Sequence, residues 1–496
     1  MRLVLSKLAV LAAWSVIAAE EVVEPPTRQL ALIECIQLAL EHNLDLKIAR
    51  YDPQIARLNL SLAYAAYEPS LNLSANHNYS ASPGGLDPQN RPYPGTTSES
   101  DTYGAGLGGA LPTGSTYDLG FDLSGTSGSG PGGTFKDASG GFNLSLSQPL
   151  LKNLWIDGTR YSIQVNKKTL KTSELDLTRQ IMGLVTRVEN AYYDLLLARE
   201  NIKAHEEAVQ LAERQLAATK KRAAVGRGEE VETKQTEVRV ASEQAALLGA
   251  RGSVAVMEYQ LKQLLSDDFS QWEKVSLKPT ALLSMVPETI SLQDSLGKAL
   301  SQRPDLQALK LNVEKQGIEL RYRRNQLLPQ LDLRGTYGQG GSGEDFSGAL
   351  DVVRKGDAPH YSVGVVLTVP LGNRQERHTY SIAKMEREKL LLRLKKTEQD
   401  IMVEVGVAVQ YAQTAFARLD VTRQSRQAAE AALAGAQKRL ESGKGDTYTV
   451  LQMQRDLTSA RLGELSALAD YNKALADVAF AEGTTLERHK LQLEFK

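Results

Sequence analysis

Apolar positions along the chain follow two periods, and the changes between them divide the chain into elements. Residues 27–67 and 291–328 carry apolar side chains at three- and four-residue spacing, which is typical of amphipathic helices. Directly after each of these segments the spacing becomes two, as in strands with one apolar face. Two later stretches, 150–278 and 371–496, contain no proline over 129 and 126 residues. Because proline breaks helix interiors, these stretches are free to form very long helices.

The same order of elements occurs twice, and the residues themselves repeat. At an offset of 260 the identities are Leu32, Ala39, Leu40, Asp45, Leu46, Leu60, Pro69, Leu71 and Leu73 with Leu292, Ala299, Leu300, Asp305, Leu306, Leu320, Pro329, Leu331 and Leu333. At an offset of 217 they are Val188, Ala191, Ala198, Ala212, Glu213, Arg222, Gly226, Gly228 and Gln235 with Val405, Ala408, Ala415, Ala429, Glu430, Arg439, Gly443, Gly445 and Gln452. The offsets differ by 43, so the first copy holds about 43 extra residues between Leu73 and Val188. We predict a first repeat over 20–289 and a second over 290–496.

The N-terminus has the composition of a secretory signal peptide. Arg2 and Lys7 supply positive charge, residues 8–17 are almost wholly apolar, and Ala18-Ala19 provides small residues for cleavage. The alternative interpretation is a short buried helix. We predict a signal peptide over 1–19. Cys35 lies too far beyond it to carry a lipid, and we expect it to be a small apolar residue on a helix face.

Strands are predicted over 69–150 in the first copy and over 329–370 in the second. Apolar and small or polar side chains alternate in segments of about ten residues, which a transmembrane barrel with a wet lumen requires. A soluble β-sandwich alternates similarly, but its strands are not inserted between helices of this length. The 43 extra residues match one additional hairpin near 103–124, which either adds membrane strands or stands outside the membrane.

Loop lengths predict the orientation of these strands. Residues 81–101, 126–139 and 339–360 are rich in glycine, proline and serine and are predicted to be long loops, whereas 112–114 is a tight turn. Bacterial barrels keep short turns on the periplasmic side and long loops outside. The long loops are therefore predicted to face outward.

A long helical hairpin follows the strands of each copy, over 159–265 and 375–481. The first helix of each hairpin has about 66 residues and would span roughly 100 Å. Each ends at paired glycines, Gly226-Arg227-Gly228 and Gly443-Lys444-Gly445, and glycine just past a helix end is a stop signal. Helices of this length cannot bury an apolar stripe alone, so we expect coiled-coil packing within the hairpin and with other chains.

Composition excludes several function classes. The 58 basic and 59 acidic residues give no basic footprint for nucleic acid. One cysteine excludes a disulfide framework and a cysteine-cluster zinc site. Gly104, Gly106 and Gly109 have the spacing of a dinucleotide fingerprint, but Pro112 follows and no helix opens there. The His205-Glu206 pair lacks the second histidine of a zinc protease helix. We therefore predict no catalytic residues, no cofactor and no metal.

Three motifs, together with the repeated architecture, resemble the outer membrane efflux protein family, the TolC-like channels. They are RLESGKGDTYTVLQ at 439–452, DYNKAL at 470–475, and SQPL at 147–150, where a strand passes into the long helix. The resemblance covers nearly the whole mature chain. It implies a mainly helical fold with long coiled-coil hairpins and strands contributed to a shared transmembrane β-barrel.

The resemblance implies a function and a set of partners. It indicates a homotrimer in the outer membrane of a Gram-negative bacterium, continued by a helical tunnel across the periplasm to an adaptor and an inner-membrane pump. Such a duct is passive and is not an enzyme, and it serves tripartite efflux or type I secretion. The family's usual barrel has 12 strands, whereas four strands from the first copy and two from the second would give 18. The alternative function is a periplasmic coiled-coil adaptor or scaffold without a pore.

Candidate functional residues lie at the two hairpin tips. The resemblance implies adaptor contacts at Gly226, Arg227, Gly228, Gly443, Lys444 and Gly445. It also implies a periplasmic aperture at Glu229, Glu230, Glu232 and Asp446, where three-fold symmetry turns each carboxylate into a ring that favours cations. Glu232 matches the family's aperture aspartate, whereas Thr449 and Gln452 stand at the acidic positions of the second copy. Alternatively, these acids complement the dipole at a helix start.

Overall fold

A computed structural model describes residues 27–130, 132–224, 230–281, 283 and 287–492. The predicted signal peptide, 1–19, lies outside the described residues. In chain order the first copy contains β1 (Thr27–Leu30), α1 (Leu32–His42), α2 (Leu44–Ala49), α3 (Tyr51–Tyr64), β2 (Ser70–Ser82), β3 (Gly85–Leu86), β4 (Pro92–Tyr93), β5 (Thr96–Ala110), β6 (Thr116–Gly130), β7 (Gly133–Pro149), α4 (Gly158–Ala224), α5 (Glu230–Leu265), α6 (Phe269–Trp272) and β8 (Ser276–Pro279).

The second copy follows the same plan without the extra hairpin. It contains α7 (Leu292–Gln302), α8 (Pro304–Gln326), β9 (Gln330–Gly343), α9 (Phe346–Lys355), β10 (Pro359–Thr368), α10 (Arg374–Glu441), α11 (Thr447–Glu482) and α12 (Thr485–Arg488). The long helices α4 and α10 have 67 and 68 residues, close to the predicted length. Among the described helices, none combines the length and the hydropathy that crossing a membrane needs.

Six strands form one antiparallel sheet in the order β10-β9-β7-β6-β5-β2. The predicted extra hairpin is β5 and β6, and it is inserted between β2 and β7 as an integral part of the sheet. Its strands begin and end further out than the predicted 103–124, since they cover Thr96–Ala110 and Thr116–Gly130.

Of the three predicted long loops, 126–139 is wrong in its described residues, and the other two are shorter than predicted. β6 and β7 continue through 126–139 and pair as far as Gly130 with Gly133. Residues 81–101 contain the ends of β2 and β5 and the small β3–β4 hairpin, and 339–360 contains α9. Glycine and serine favour loops on average, but a strand already paired on both sides continues through them because its ladder hydrogen bonds continue.

The beginning of the predicted first helix, 27–67, is also wrong. Residues 27–30 form β1, which pairs in parallel with β8 from the end of the first copy. β8 is 246 or more residues away in the sequence, and local periodicity carries no information about such a partner. The rest of the segment is helical in three pieces, with breaks at Asn43 and Arg50.

Corresponding positions of the two copies form the cores of the hairpins. Val188 of α4 and Val405 of α10 are both fully buried, and Leu46 and Leu306 are buried at the starts of the short helices. One core surrounds α1, α4, α5 and β8, and another surrounds α7, α8, α10 and α11. Cys35 is fully buried in the first core, as the sequence predicts. The repeat therefore extends to packing.

Candidate functional site

The tip of the second hairpin is a glycine turn with a fixed geometry. α10 ends at Glu441, and Gly443 takes a left-handed φ of 71°, which favours glycine. The backbone N–H of Lys444 donates to the carbonyl of Arg439 at 2.9 Å. A Cβ on Gly445 would lie 3.0 Å from the backbone nitrogen of Leu440. Gly443 is thus required by backbone conformation and Gly445 by close approach, and they present the exposed Lys444.

Asp446 is the N-cap of α11. Its Oδ1 accepts a hydrogen bond from the backbone N–H of Thr449 at 3.1 Å. The hydrogen bonds from the Thr449 side chain and backbone hold the pKa of Asp446 below its usual value, so the exposed carboxylate remains charged. Asp446 therefore has the helix-start role that the sequence analysis gave as the alternative interpretation of these acids.

Glu230 and Glu232 lie in the first turn of α5, and Glu232 contacts the second tip. The hydroxyl of Thr447 donates to Oε2 of Glu232 at 3.5 Å, while Glu230 is exposed. The structure thus places Glu232 next to the start of α11, since its partner Thr447 directly follows Asp446. Gly226, Arg227, Gly228 and Glu229 lie outside the described residues.

Polar contacts between the two hairpins were missed by the sequence reasoning. Asp194 of α4 pairs with Lys473 of α11 at 2.8 Å, and Glu207 pairs with Arg461 at 2.6 Å. Closer to the sheet, Asn190 donates to Asp477 at 3.2 Å. These contacts follow α4 and α11 along their length and hold the two copies side by side. The spacing of these charges gave no sequence signal, because Arg461 lies about 120° around the helix from Lys473.

The described chain has two open sides, each continuous from sheet to helices. One side is formed by the edge strand β2 and by α3, whose exposed stripe comprises Tyr51, Ile55, Leu58 and Leu62. The other is formed by the edge strand β10 and by α10, with exposed Ile382, Met385 and Leu392. Residues three, four and seven apart share one helix face, so both sides present apolar stripes.

A family model described as "Outer membrane efflux protein" matches residues 116–266 and 295–484, more than half of the chain. The chain belongs to the outer membrane efflux protein family. Outer membrane efflux protein BepC of Brucella suis is 24% identical over 343 residues, which cover 67% of this chain and 70% of BepC. The pyoverdine export outer membrane protein OpmQ of Pseudomonas aeruginosa is 26% identical over 358 residues, covering 68% and 70%.

Solved structures of efflux channels have the same fold. The Campylobacter jejuni CmeC outer membrane channel superposes with a TM-score of 0.65 at 20% sequence identity, covering 94% of this chain and 90% of CmeC. This outer membrane efflux protein is thus a TolC-like channel of the Gram-negative outer membrane and not an enzyme, as the sequence predicts. The matched residues begin at Thr116, the first residue of β6.

Proposed function

We propose that three copies of this efflux protein form a passive exit duct, coupled through a periplasmic adaptor to an inner-membrane pump for tripartite efflux or type I secretion. The observation that carries the proposal is the pair of open sides described above. The β2–α3 side of one chain would contact the β10–α10 side of the next chain. Because these two sides differ, the contact is heterologous. A heterologous contact generates a ring when its rotation closes.

Ring closure supplies partners for both kinds of exposed surface. The stripe on α3 is 53% exposed at Ile55 and 70% exposed at Leu62, and that on α10 is 70% exposed at Leu392. Apolar area of this extent is stabilised by burial at about 25 cal/mol per Å². Pairing β2 with the neighbour's β10 removes the sheet edges, which a lipid environment demands.

The alternative, a periplasmic scaffold without a pore, does not account for the sheet. Leu73 on β2 and Val363 on β10 are 74% and 77% exposed, and these two strands are the edges of the six-stranded sheet. A water-facing sheet of this kind would lose solubility, since large exposed apolar patches mark interaction or membrane surfaces. The same surface is favourable in a bilayer.

At the periplasmic end, the tips are proposed to contact the adaptor and to limit passage. The glycine turn at 443–445 presents Lys444 for the adaptor, and the repeat in the sequence assigns the same contact to Gly226, Arg227 and Gly228. Three-fold repetition of Glu229, Glu230, Glu232 and Asp446 would give carboxylate rings that favour cations. The exposure of Glu230, Asp446 and Lys444 supports these roles.

The test is to purify the full chain in detergent, determine its mass and reconstitute it in planar bilayers. We expect a trimer that migrates as a larger, heat-sensitive species on a gel and opens discrete single channels. A scaffold would give a heat-insensitive monomer and no channels, and that combination would reject the proposed function.

A further inference from the structure

We propose that the inserted β5–β6 hairpin is part of the barrel wall within the membrane, so that the exit of the trimer has 18 strands and is wider than a barrel of 12. This inference rests on the proposed trimeric duct. Without the hairpin each copy of the repeat would contribute two strands, and three chains would contribute twelve. With it, each chain contributes the six strands of one sheet.

The strand register places the inserted strands in the same apolar band as the others. One row of paired residues crosses the whole sheet on one face: Leu71, Leu107, Leu119, Leu144, Tyr337 and Tyr361. The adjacent row faces the opposite side: Ser70, Gly108, Asp118, Ser145, Thr336 and Ser362. β5 and β6 therefore follow the alternation of the outer strands without a change of face.

The apolar side chains of the inserted hairpin are exposed like those of its neighbours. Tyr103 and Phe121 are 45% and 37% exposed, compared with 41% for Leu144 on the adjacent β7. Strand pairing places these residues at the same level along the sheet as the residues of the adjacent strands. A hairpin outside the membrane would expose these apolar side chains to water, which is unfavourable. A barrel wall that faces lipid requires apolar side chains on its outer face.

The apolar band also shifts steadily from one edge of the sheet to the other. On β2 it covers Leu71 to Tyr79, on the outer side of the common row, and on β10 it covers Tyr361 to Leu367, on the inner side. The band centres differ by about seven residues, or roughly 23 Å, across five strand spacings of about 4.8 Å. This corresponds to strands inclined by about 40–45°, within the range of closed barrels. The shift passes through β5 and β6, so they share the tilt.

The number of strands sets the width of the exit. With that spacing and tilt, 18 strands enclose a barrel about 36 Å across between backbones, and 12 strands one of about 24 Å. The face of the inserted hairpin opposite the apolar band carries Gly104, Gly106, Gly108 and Gly120, which add little side-chain volume to the lumen. The 18-stranded exit is thus about one and a half times as wide between backbones as a 12-stranded one.

Spin labels on trimers in liposomes test where the hairpin lies. Neighbouring positions on β6, Leu119→Cys and Asp118→Cys, are compared with Leu144→Cys and Ser145→Cys on β7. We expect labels at 119 and 144 to be relaxed by oxygen dissolved in lipid. Labels at 118 and 145 should be relaxed by a water-soluble nickel chelate.

The outcomes separate the inference from the proposed function. A label at 119 that meets the nickel chelate, while 144 remains in lipid, places the hairpin outside the membrane and overturns the inference alone. Labels at both 119 and 144 in water would reject the duct itself.

Deletion of residues 96–130 tests the width. Removing two strands leaves β2 antiparallel to β7, so the shortened sheet can still close. We expect the deletion trimer to exclude, from the loop side, graded poly(ethylene glycol)s that enter the full-length barrel, with the diameter limit falling by about a third. An unchanged limit overturns the inference. If the shortened chain does not assemble, strands are counted by electron cryomicroscopy of the full-length trimer, where 18 supports the proposal and 12 rejects it.

Discussion

Asn43 and Arg303 occupy the same position of the two repeats and stabilise the same helix break by different chemistry. Asn43 accepts from the backbone N–H of Leu46 and donates to the carbonyl of Leu264. Arg303, which is buried, forms two hydrogen bonds with Asp305 and one with Glu404 at 2.7 Å. The repeat aligns the two positions, because Asp45 and Asp305 beside them are identical, but it does not predict this exchange of partners.

Replacing Arg303 tests how strongly this break holds α8 to α10 and α11. Arg303→Ala removes the hydrogen bonds of a buried guanidinium to the partly buried Asp305 and to Glu404, and a hydrogen bond to a charged group contributes about 1.5–3 kcal/mol. We expect a clear fall in the temperature at which the protein unfolds, measured by circular dichroism. The control is Arg91→Ala, which removes an ion pair with Asp87 in which the arginine side chain is exposed. This substitution should change the unfolding temperature little. Equal effects of the two substitutions would contradict the assignment.

Cys35 provides a test of the first core. Burial, followed by the charge of Glu34, raises the pKa of the Cys35 thiol to about 12. An ordinary cysteine becomes thiolate between about pH 7 and 10, whereas Cys35 should remain a thiol across this range. We expect no maleimide labelling of the folded protein at pH 9 and complete labelling in denaturant. Rapid labelling of the folded protein would show that α1 does not pack as described.

Glu232 is the residue whose aperture role is easiest to isolate. Glu232→Gln retains the size and the acceptor for Thr447 but removes the charge. If its ring lies in the conducting path, the ratio of cation to anion permeability in planar bilayers should fall. Asp420→Asn, which removes a carboxylate from α10 far from the tip, is the control. A permeability ratio unchanged by Glu232→Gln would reject the role.

At the scale of elements, predictability depended on whether the signal is local. The long helices were predicted within one residue of their starts, because apolar spacing and the absence of proline are local properties. β1 and the outer parts of β6 and β7 were missed, because pairing partners distant in sequence or in the adjacent strand determine them. The tip residues were predicted from glycine positions, but the contact of Glu232 with Thr447 depends on two hairpins packing together.

Two glycines, one inside α11 and one directly after its end, should respond to the same substitution with opposite signs. Gly483 ends the helix with a left-handed φ of 85°, and a Cβ there would lie 3.1 Å from the backbone nitrogen of Arg303. Gly483→Ala should destabilise the protein by about 1–2 kcal/mol or more. Gly463 lies inside the helix with no described atom within 4 Å of an added Cβ, so Gly463→Ala should stabilise it by about 0.5–1 kcal/mol. The order of the two unfolding temperatures checks the pair, and a reversed order would contradict both.

For the whole molecule, the sequence predicted two repeats, six strands and hairpin tips. The structure adds how the two repeats pack against each other and which sides they leave uncovered. The two repeats lie side by side in one chain, with α4 against α8 and α11. Their outer sides remain open at β2 and β10 within the described residues. Each repeat therefore leaves one side uncovered in the described residues, and these are the sides that meet in the proposed ring. Single-sequence periodicity cannot show this, because an apolar stripe looks the same whether its partner is in the same chain or another.

The proposed ring predicts that a charge on the α3 stripe blocks assembly without unfolding the chain. Leu58 is 69% exposed and lies opposite the face of α3 that contacts α4 through Ala56. Leu58→Glu should therefore be tolerated in the monomer, but in the trimer its carboxylate would be buried against a neighbour, which costs several kcal/mol. Ser61→Glu introduces the same charge about a quarter turn away from the stripe. We expect light scattering to give a monomer for Leu58→Glu and a trimer for Ser61→Glu, both with unchanged helix content. A trimer of normal heat resistance with Leu58→Glu would show that the α3 stripe is not where the chains meet, and ring closure through these sides would be wrong.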